Sequence, residues 1–402
     1  ADLTEELKAE VDNATITLNK AREALDGDAT KKEELNKSID EDGTPAQGQQ
    51  ATTGTKASDK YKNVTEPDFK DANGNTDTTK NEAAKKAKTA YDDALTEANK
   101  VKEDKNATQK AVDDAKAKLD AARKELDKYT TNKDKLNAAI AEHGHVYEYT
   151  NDTLNTLTVD QKLDKADPTY KNSTENEREA YDNALEDAIR LSADPNASQK
   201  DVNKAIDDLK KAKAALDAKA TDKSKLAAAE KQSFDNPDPD NTNGPKSTFY
   251  KNAKTKADGN DQAASTAINN YDTALKNARD VLKKEKATQK EVDEAKQKLE
   301  AAEKALHEGY KTDANDLTKA IADNFSGYLM PAYFNAFDKG KEGDTDAATA
   351  FKNYNDAYQK AKALKKKLEE AKTGKDAPDQ EQINEAKTAL EKAREVIDKY
   401  AT

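Results

Sequence analysis

The chain has 402 residues, of which 80 are acidic and 68 basic, so its formal net charge is −12, and it has no cysteine. Only 34% of the residues are hydrophobic, too few for one large core, so the composition predicts several small cores. The sequence has no long apolar stretch, no concentrated basic charge and no thiol, which argues against membrane insertion, nucleic-acid binding and cysteine chemistry.

The first 27 residues predict one amphipathic helix. Val11, Ala14, Leu18, Ala21 and Leu25 step by three, four, three and four positions, which places them on one helix face. This stripe recurs four times further along the chain, after 101 residues and then at intervals of 90, 90 and 91 residues, which indicates a tandem array of repeats. The later stripes run from Val112 to Leu126, Val202 to Leu216, Val292 to Leu306 and Ile383 to Ile397.

Each repeat is predicted to open with a short first helix, marked by Leu35, Leu136, Leu226 or Leu317. A threonine stands five residues before each of these leucines: Thr30, Thr131, Thr221 and Thr312. A hydroxyl just ahead of an apolar run is typical of an N-cap, and Thr30 with Glu33 matches a capping box. We therefore expect these threonines to cap the first helices.

A second helix follows in each repeat and is anchored by a tyrosine: Tyr91, Tyr181, Tyr271 or Tyr354. Because each core otherwise consists mainly of Ala, Leu and Val, we expect the tyrosine to be buried against the third-helix stripe of its own repeat. The third helices are predicted to begin at the N-caps Thr108, Ser198, Thr288 and Asp379, and Thr288 with Glu291 fits a capping box.

The segments between first and second helices differ in length and are rich in turn-forming residues, so they are predicted to be loops. Each contains a Tyr-x-Asn triplet, at Tyr61/Asn63, Tyr170/Asn172, Tyr250/Asn252 and Tyr333/Asn335. We interpret the tyrosine as closing the open end of the bundle, with a ligand contact as the alternative. The aromatic segment Asn324–Phe337 either folds onto its own small core or forms a binding patch for protein or sugar.

The links between successive repeats are short and nearly constant in length. They leave no room for a flexible tether, so the bundles are expected to pack nearly end to end. Gly27 and Gly309 are expected to end their helices. The links Leu126–Leu136 and Leu216–Leu226, which contain neither Gly nor Pro, can run as continuous helix.

The sequence therefore predicts an all-α protein, a tandem array of three-helix bundles that forms an elongated rod. Residues 1–27 are predicted to be the C-terminal helix of a preceding repeat. Four full repeats are predicted at residues 28–129, 130–219, 220–309 and 310–402.

The Tyr-x-x-Ala-Leu-x-x-Ala pattern, the Thr-Gln or Ser-Gln start of the third helix and its Val-x2-Ala-x3-Leu-x2-Ala-x3-Leu stripe resemble FIVAR repeats. These are three-helix modules of secreted and wall-attached proteins of Gram-positive and related bacteria, including giant staphylococcal matrix-binding adhesins. The resemblance covers about residues 28–400. It implies an extracellular protein, attached to the cell wall or secreted, of which this sequence is an internal fragment without signal peptide or anchor.

Few residues suggest chemistry. His143 and His145 have no third ligand at a suggestive spacing, which favours a solvated pair over a metal site. Asp71–Asp77 places oxygen side chains at alternate positions, as calcium loops do, but its glycine is misplaced for an EF-hand; Asp238–Gly244 is a weaker candidate. No serine has a plausible histidine partner, so we expect no catalytic, cofactor-binding or metal-binding residues and no enzyme activity.

The leading hypothesis is a non-catalytic stalk, a rigid spacer that projects an adhesive domain from the cell wall. The alternatives are a direct binding module for host matrix or serum proteins or glycans, and an accessory region of a large secreted glycosidase. The expected partner is a host extracellular-matrix protein or glycan, with no nucleic acid and no membrane insertion. The segment is expected to be a monomer within a longer chain.

Overall fold

The computed structural model describes residues 2–27, 29–43, 51–233, 247–325, 330–371 and 377–401. In these ranges the regular structure is helical, and an isolated antiparallel bridge between Lys70 and Thr76 is the only strand-like pairing. The predicted all-α repeat array is confirmed. The chain divides into two compact units, Ala1–Lys219 and Ala220–Thr402.

The first unit begins with a long helix and continues with two bundles. Its helices are α1 Asp2–Gly27, α2 Glu33–Asp40, α3 Asp59–Thr65, α4 Thr78–Glu103, α5 Gln109–Glu125, α6 Asp134–His143, α7 Val159–Lys165, α8 Pro168–Asn172, α9 Glu175–Ala193 and α10 Gln199–Asp217. Bundle 1 is formed by α2, α4 and α5, with α3 packed on α4. Bundle 2 is formed by α6, α9 and α10, with α8 packed on α10 and α7 joined to α9 by the hydrogen bond from Lys162 to Asp182.

The second unit also contains two bundles. Its helices are α11 Ser224–Gln232, α12 Thr248–Asp258, α13 Gln262–Lys283, α14 Gln289–Gly309, α15 Asn315–Phe325, α16 Pro331–Lys341, α17 Thr345–Glu370 and α18 Gln380–Ile397. Bundle 3 is formed by α11, α13 and α14, with α12 packed on α13. Bundle 4 is formed by α15, α17 and α18, with α16 packed on α17.

Each bundle has its own hydrophobic core between the second and third helices. The anchoring tyrosines Tyr91, Tyr181, Tyr271 and Tyr354 are completely buried, as predicted. On the third helix of bundle 2, Val202, Leu209 and Leu216 are also completely buried. Burial of a large ring against an aliphatic stripe supplies much of the apolar area that these small cores hold.

The segments between first and second helices were predicted to be loops, and the structure corrects this. Each contains a short helix that carries the Tyr-x-Asn triplet: α3, α8, α12 or α16. The sequence holds start signals for these helices. Ser58 and Ser247 accept hydrogen bonds from the backbone N–H groups of Tyr61 and Tyr250, and Pro168 and Pro331 occupy first-turn positions, where proline is favoured.

The N-caps of the third helices are confirmed, whereas those of the first helices are wrong. Thr108, Ser198, Thr288 and Asp379 each accept a hydrogen bond from a first-turn N–H, and Thr288 with Glu291 forms the predicted capping box. The first helices instead begin after Lys32, Lys133 and Lys223, with no side-chain cap, and Glu33 is not part of a capping box. Thr30 and its counterparts instead donate hydrogen bonds to carbonyls just before the third helix.

Neither candidate link runs as continuous helix. After α5, a 3-10 turn at Leu126–Tyr129 leads into the non-helical residues 130–133, and α6 starts at Asp134. Helix α10 ends at Asp217 and α11 starts at Ser224. The helices α1 and α14 end at Gly27 and Gly309, as expected.

Candidate functional site

The Tyr-x-Asn tyrosine packs on the anchoring tyrosine in every bundle. Edge-on ring pairs with centroid distances of 5.8, 6.3, 6.1 and 6.1 Å join Tyr61 to Tyr91, Tyr170 to Tyr181, Tyr250 to Tyr271 and Tyr333 to Tyr354. Its hydroxyl donates to the residue just after the anchor, Asp92, Asp182, Asp272 or Asn355, at 3.0–3.1 Å. Edge-on pairs of this kind add to the apolar burial. The tyrosine therefore closes the bundle, and its hydroxyl is engaged within the protein.

The anchoring tyrosine in turn fixes the end of the first helix. The hydroxyl of Tyr91 donates to Asp42 Oδ1 at 2.7 Å, that of Tyr181 to the His143 carbonyl at 2.7 Å and that of Tyr354 to the Asn324 carbonyl at 3.0 Å. In bundle 3 the Tyr271 hydroxyl bonds to Ser233 Oγ. Burial raises the pKa of Tyr91 and of Tyr181 well above the ordinary value.

The threonine before each first helix joins that helix to the start of the third helix. Thr30, Thr131, Thr221 and Thr312 donate to the carbonyls of Ala107, Ala197, Ala287 and Pro378 at 2.7–2.8 Å. The residue after each threonine donates its N–H, at 2.8 Å, to the first glutamine of the third helix: Gln109, Gln199, Gln289 or Gln380. The threonines thus act as donors across the bundle and not as N-caps.

Bundle 2 contains a buried polar cluster that sequence reasoning missed. The carboxylate of Asp182 accepts hydrogen bonds from Tyr147 at 2.9 Å, Tyr170 at 3.0 Å and Lys162 at 2.8 Å. Lys162 is 7% exposed, and its ammonium group is paired with Asp182, at 2.8 Å, and with Glu186, at 3.8 Å. Tyr147 and Lys162 lie in the segment that was predicted to be a variable loop, and no spacing in that segment marked them. The cluster is satisfied internally and is a structural feature of the core.

The metal-ligand candidates lie apart or are used by the backbone. His145 stacks on Tyr149, with a centroid distance of 5.9 Å, while His143 Nε2 lies 3.6 Å from Glu142 Oε2. Across the described ranges, no three His, Asp or Glu side chains are grouped so that they could hold a metal ion. Asp238–Gly244 lies outside the described residues.

The two ends of the proposed calcium loop have structural roles. Asp71 Oδ1 accepts the Asn75 N–H at 2.8 Å, and this backbone hydrogen bond is the main reason why the pKa of Asp71 is below its ordinary value. Asp77 Oδ1 accepts the Lys80 N–H at 2.9 Å and so caps α4. Both carboxylates therefore accept hydrogen bonds from the backbone N–H groups of a turn and a helix start.

The aromatic segment is partly folded in and partly exposed. Residues 326–329 and the side chain of Phe325 lie outside the described part of the chain. Tyr333 is half-buried and packs on Phe351, with centroids 4.7 Å apart. On the same helix, α16, Phe334 is 49% and Phe337 36% exposed. Tyr333 therefore folds onto its own core, whereas Phe334 and Phe337 are accessible for binding.

Helix α1 exposes an apolar stripe with the same spacing as the stripes that the third helices of the four bundles largely bury. Val11, Leu18 and Leu25 are 60%, 69% and 74% exposed. The other large apolar side chains that are exposed in the described ranges are Leu7 and Ile16 on α1, Phe334 and Phe337 on α16, Val159 and Val396. None of the described helices is long and apolar enough to cross a lipid bilayer.

The family comparison identifies the repeats. A model of the FIVAR domain matches residues 69–127, 132–217, 246–307 and 343–396. No curated protein and no solved structure matches the chain. FIVAR domains are non-catalytic modules that occur in extracellular surface proteins. Because the four matches together cover more than half of the sequence, the chain belongs to the FIVAR domain family.

Proposed function

We propose that the chain is the repeat region of a bacterial surface adhesin and acts as a rigid stalk that projects an adhesive domain from the cell wall. The observation that supports this most is the direct bonding between neighbouring bundles within each unit. In the first unit, the Thr131 N–H donates to Asp59 Oδ2 at 2.8 Å and Lys62 Nζ donates to the Asn196 carbonyl at 2.7 Å. Bonds on both sides of a short link resist bending there.

The surface composition agrees with a spacer. Many exposed lysines pair with a carboxylate four residues further along the same helix, as Lys204 does with Asp208 and Lys276 with Asp280. Such pairs contribute little stability, but the alternating charge keeps a long exposed surface soluble. A protein-binding helix face instead needs clustered apolar or aromatic side chains.

The domain boundaries predicted above form part of this proposal. Residues 1–27 are proposed to be the third helix of a preceding repeat, because α1 exposes the stripe that four equivalent helices bury. The full repeats are proposed at 28–129, 130–219, 220–309 and 310–402. The proposed location is extracellular, on the cell wall of a Gram-positive bacterium or secreted from it.

One observation favours a second function. Phe334 and Phe337 are exposed on α16, where Phe334 packs on Tyr333 and Phe337 on Phe351. Exposed aromatic side chains in a group are typical of protein and sugar interfaces. Bundle 4 is thus the best candidate for direct binding of a host matrix protein or glycan. A role as an accessory region of a secreted glycosidase is the third alternative.

A display experiment separates these functions. A ligand-binding domain is anchored to the wall of Gram-positive cells either directly or through residues 1–402, and capture of receptor-coated beads is counted. A stalk should increase bead capture when the chain is inserted, and the chain without the displayed domain should capture no beads coated with matrix proteins or glycans. No gain on insertion would contradict the stalk. Capture by the chain alone that is lost in the Phe334→Ala/Phe337→Ala variant would establish binding instead.

A further inference from the structure

The asparagine of the Tyr-x-Asn triplet joins three elements at the junction between bundles 1 and 2. Asn63 is completely buried. Its Nδ2 donates to the Tyr129 carbonyl at 2.8 Å, just after the third helix of its own bundle, and to Thr131 Oγ1 at 2.8 Å. Its Oδ1 accepts the Gln199 N–H at 2.6 Å, at the first residue of the third helix of bundle 2. One amide thus bonds the end of one bundle, the link and the next bundle.

The same arrangement recurs in the second unit, between bundles 3 and 4. Asn252 Nδ2 donates to the Tyr310 carbonyl at 2.9 Å and to Thr312 Oγ1 at 3.0 Å. Its Oδ1 accepts the Gln380 N–H at 2.8 Å, again at the first residue of a third helix. Two junctions that are separated by nearly 190 residues of sequence therefore use the same three bonds.

The Gln N–H is one of the donors that a helix start cannot satisfy internally. The N-cap side chains Ser198 and Asp379 accept a different N–H, that of the third residue of the helix. The side-chain oxygen of the asparagine in the preceding bundle therefore accepts a hydrogen bond from an N–H group that has no partner within the third helix. The threonine is also shared, because Thr131 donates to the Ala197 carbonyl while it accepts from Asn63.

We propose that this asparagine is a coupling residue, which recognises the Gln N–H of the next bundle's third helix. Bundles 1 and 2, and bundles 3 and 4, then unfold as cooperative pairs and not as four independent modules. In a linear repeat array, stability is the sum of intrinsic and nearest-neighbour contributions. The two asparagine bonds to the threonine and the glutamine make the nearest-neighbour contribution specific to a module that carries these two residues. This coupling holds whether or not the chain serves as a stalk.

Asn335 provides a matched control. It makes the same bond within its own bundle, from Nδ2 to the Tyr400 carbonyl at 2.9 Å, and the described residues include no further bundle after bundle 4 to which it could bond. Replacing Asn335 by Ala removes the bond inside the bundle alone. Replacing Asn63 by Ala removes that bond and both bonds to bundle 2.

The test measures the urea midpoint of unfolding of each bundle in the intact chain by hydrogen exchange. Peptides from α4–α5 report on bundle 1, and peptides from α9–α10 report on bundle 2. The wild type should show a common midpoint for bundles 1 and 2. Asn63 lies in bundle 1, yet Asn63→Ala should lower the urea midpoint of bundle 2 by about 0.5–1 M. The midpoints of bundles 1 and 2 should then differ from each other. Asn335→Ala, which removes only a bond inside bundle 4, should lower the midpoint of the neighbouring bundle 3, read from α13–α14 peptides, by less than Asn63→Ala lowers that of bundle 2.

A second variant approaches the junction from the other side. Coupling is reciprocal, so Thr131→Val, in the link that belongs to bundle 2, should lower the midpoint of bundle 1. If Asn63→Ala unfolds bundle 1 entirely, the Thr131→Val variant still tests the coupling between bundles 1 and 2. The proposal is overturned if bundles 1 and 2 already unfold separately in the wild type. It is equally overturned if Asn63→Ala leaves bundle 2 unchanged, or if Thr131→Val leaves bundle 1 unchanged.

Discussion

At the scale of single residues, two tyrosines organise each bundle. The anchor is buried against the third helix and bonds the end of the first helix, while the triplet tyrosine covers its ring. Position and burial of the anchor were predictable, because one large side chain recurs in an otherwise aliphatic helical stripe. The hydroxyl partners were not predictable, since Tyr181 and its acceptor His143 are 38 residues apart.

Truncation of an anchor should destabilise one core strongly. Tyr181→Ala is expected to cost about 3 kcal/mol, because it removes a completely buried ring. Tyr181→Phe is the matched control: it keeps the ring and loses the bond to the His143 carbonyl, so it should cost about 1 kcal/mol. Urea denaturation followed by the exchange of α9–α10 peptides measures both. Equal losses would show that the ring contributes nothing.

Buried tyrosines also predict a loss of stability in alkali. Burial raises the folded-state pKa of Tyr91, Tyr147, Tyr170 and Tyr181 above the unfolded value of about 10. The unfolded state therefore loses these protons first, so their contribution is complete below about pH 10 and is lost as the pH rises further. Unfolding midpoints between pH 9 and 11 should fall, and the fall should be smaller in Tyr181→Phe. An identical fall in that variant would contradict this assignment.

The threonines show why local rules fail at some residues. Thr30 precedes an apolar run and stands three residues before Glu33, which is the pattern of a capping box. A hydroxyl can also donate, however, and Thr30 donates to the carbonyl of Ala107, 77 residues away. No rule that reads neighbouring positions can find that acceptor.

Among the elements, the second helices end in two different ways. In bundles 1 to 3 they stop at Glu103, Ala193 and Lys283, and Lys32, Lys133 and Lys223 donate to their last carbonyls. In bundle 4 the equivalent of these lysines is Ala314, and α17 continues to Glu370. A cation at a helix C-terminus satisfies open carbonyls, and a helix that continues does not need it there.

Removing one of these lysines should weaken its bundle. Lys133 Nζ donates to the carbonyls of Ser192, at 3.1 Å, and Asp194. Lys133→Met is expected to destabilise bundle 2 by about 1 kcal/mol, because two helix-end carbonyls lose a charged donor. Lys210→Met, at an exposed position of α10, is the control and should change stability by less than about 0.5 kcal/mol. Equal effects in urea denaturation would exclude a capping role.

The two glutamates of the predicted capping boxes should behave differently. Glu291 accepts the Thr288 N–H at 2.8 Å, so Glu291→Ala should cost about 1 kcal/mol. Glu33 is exposed and belongs to no capping box, so Glu33→Ala should change stability by less than about 0.5 kcal/mol. Both are measured from urea midpoints. A comparable loss in the Glu33 variant would contradict the structure and would support the capping box that the sequence predicts for Thr30 and Glu33.

The short helices α3, α8, α12 and α16 could not be predicted from the spacing of apolar residues. Long stripes identify the second and third helices, because several turns repeat the same apolar spacing. A helix of five to eleven residues contains too few turns to show a period. The local signals for these helices are the residues at their starts, such as Ser58 and Pro331, and the prediction of loops did not take them into account.

At the scale of the whole molecule, the proposed stalk depends on bundles that follow one another in series. A helix of about 20 residues spans about 30 Å, so four such bundles in series should reach roughly 130–180 Å. The direct bonds between neighbouring bundles support the serial order of bundles 1 and 2 in the first unit and of bundles 3 and 4 in the second.

Small-angle X-ray scattering of the intact chain tests the stalk most directly. A rod of roughly 130–180 Å has a gyration radius of about 38–52 Å. A compact globule of the same number of residues has one of about 21 Å. We predict a value in the range of the rod and a linear cross-section plot; a gyration radius close to that of the globule would contradict the rod, and with it the proposed function.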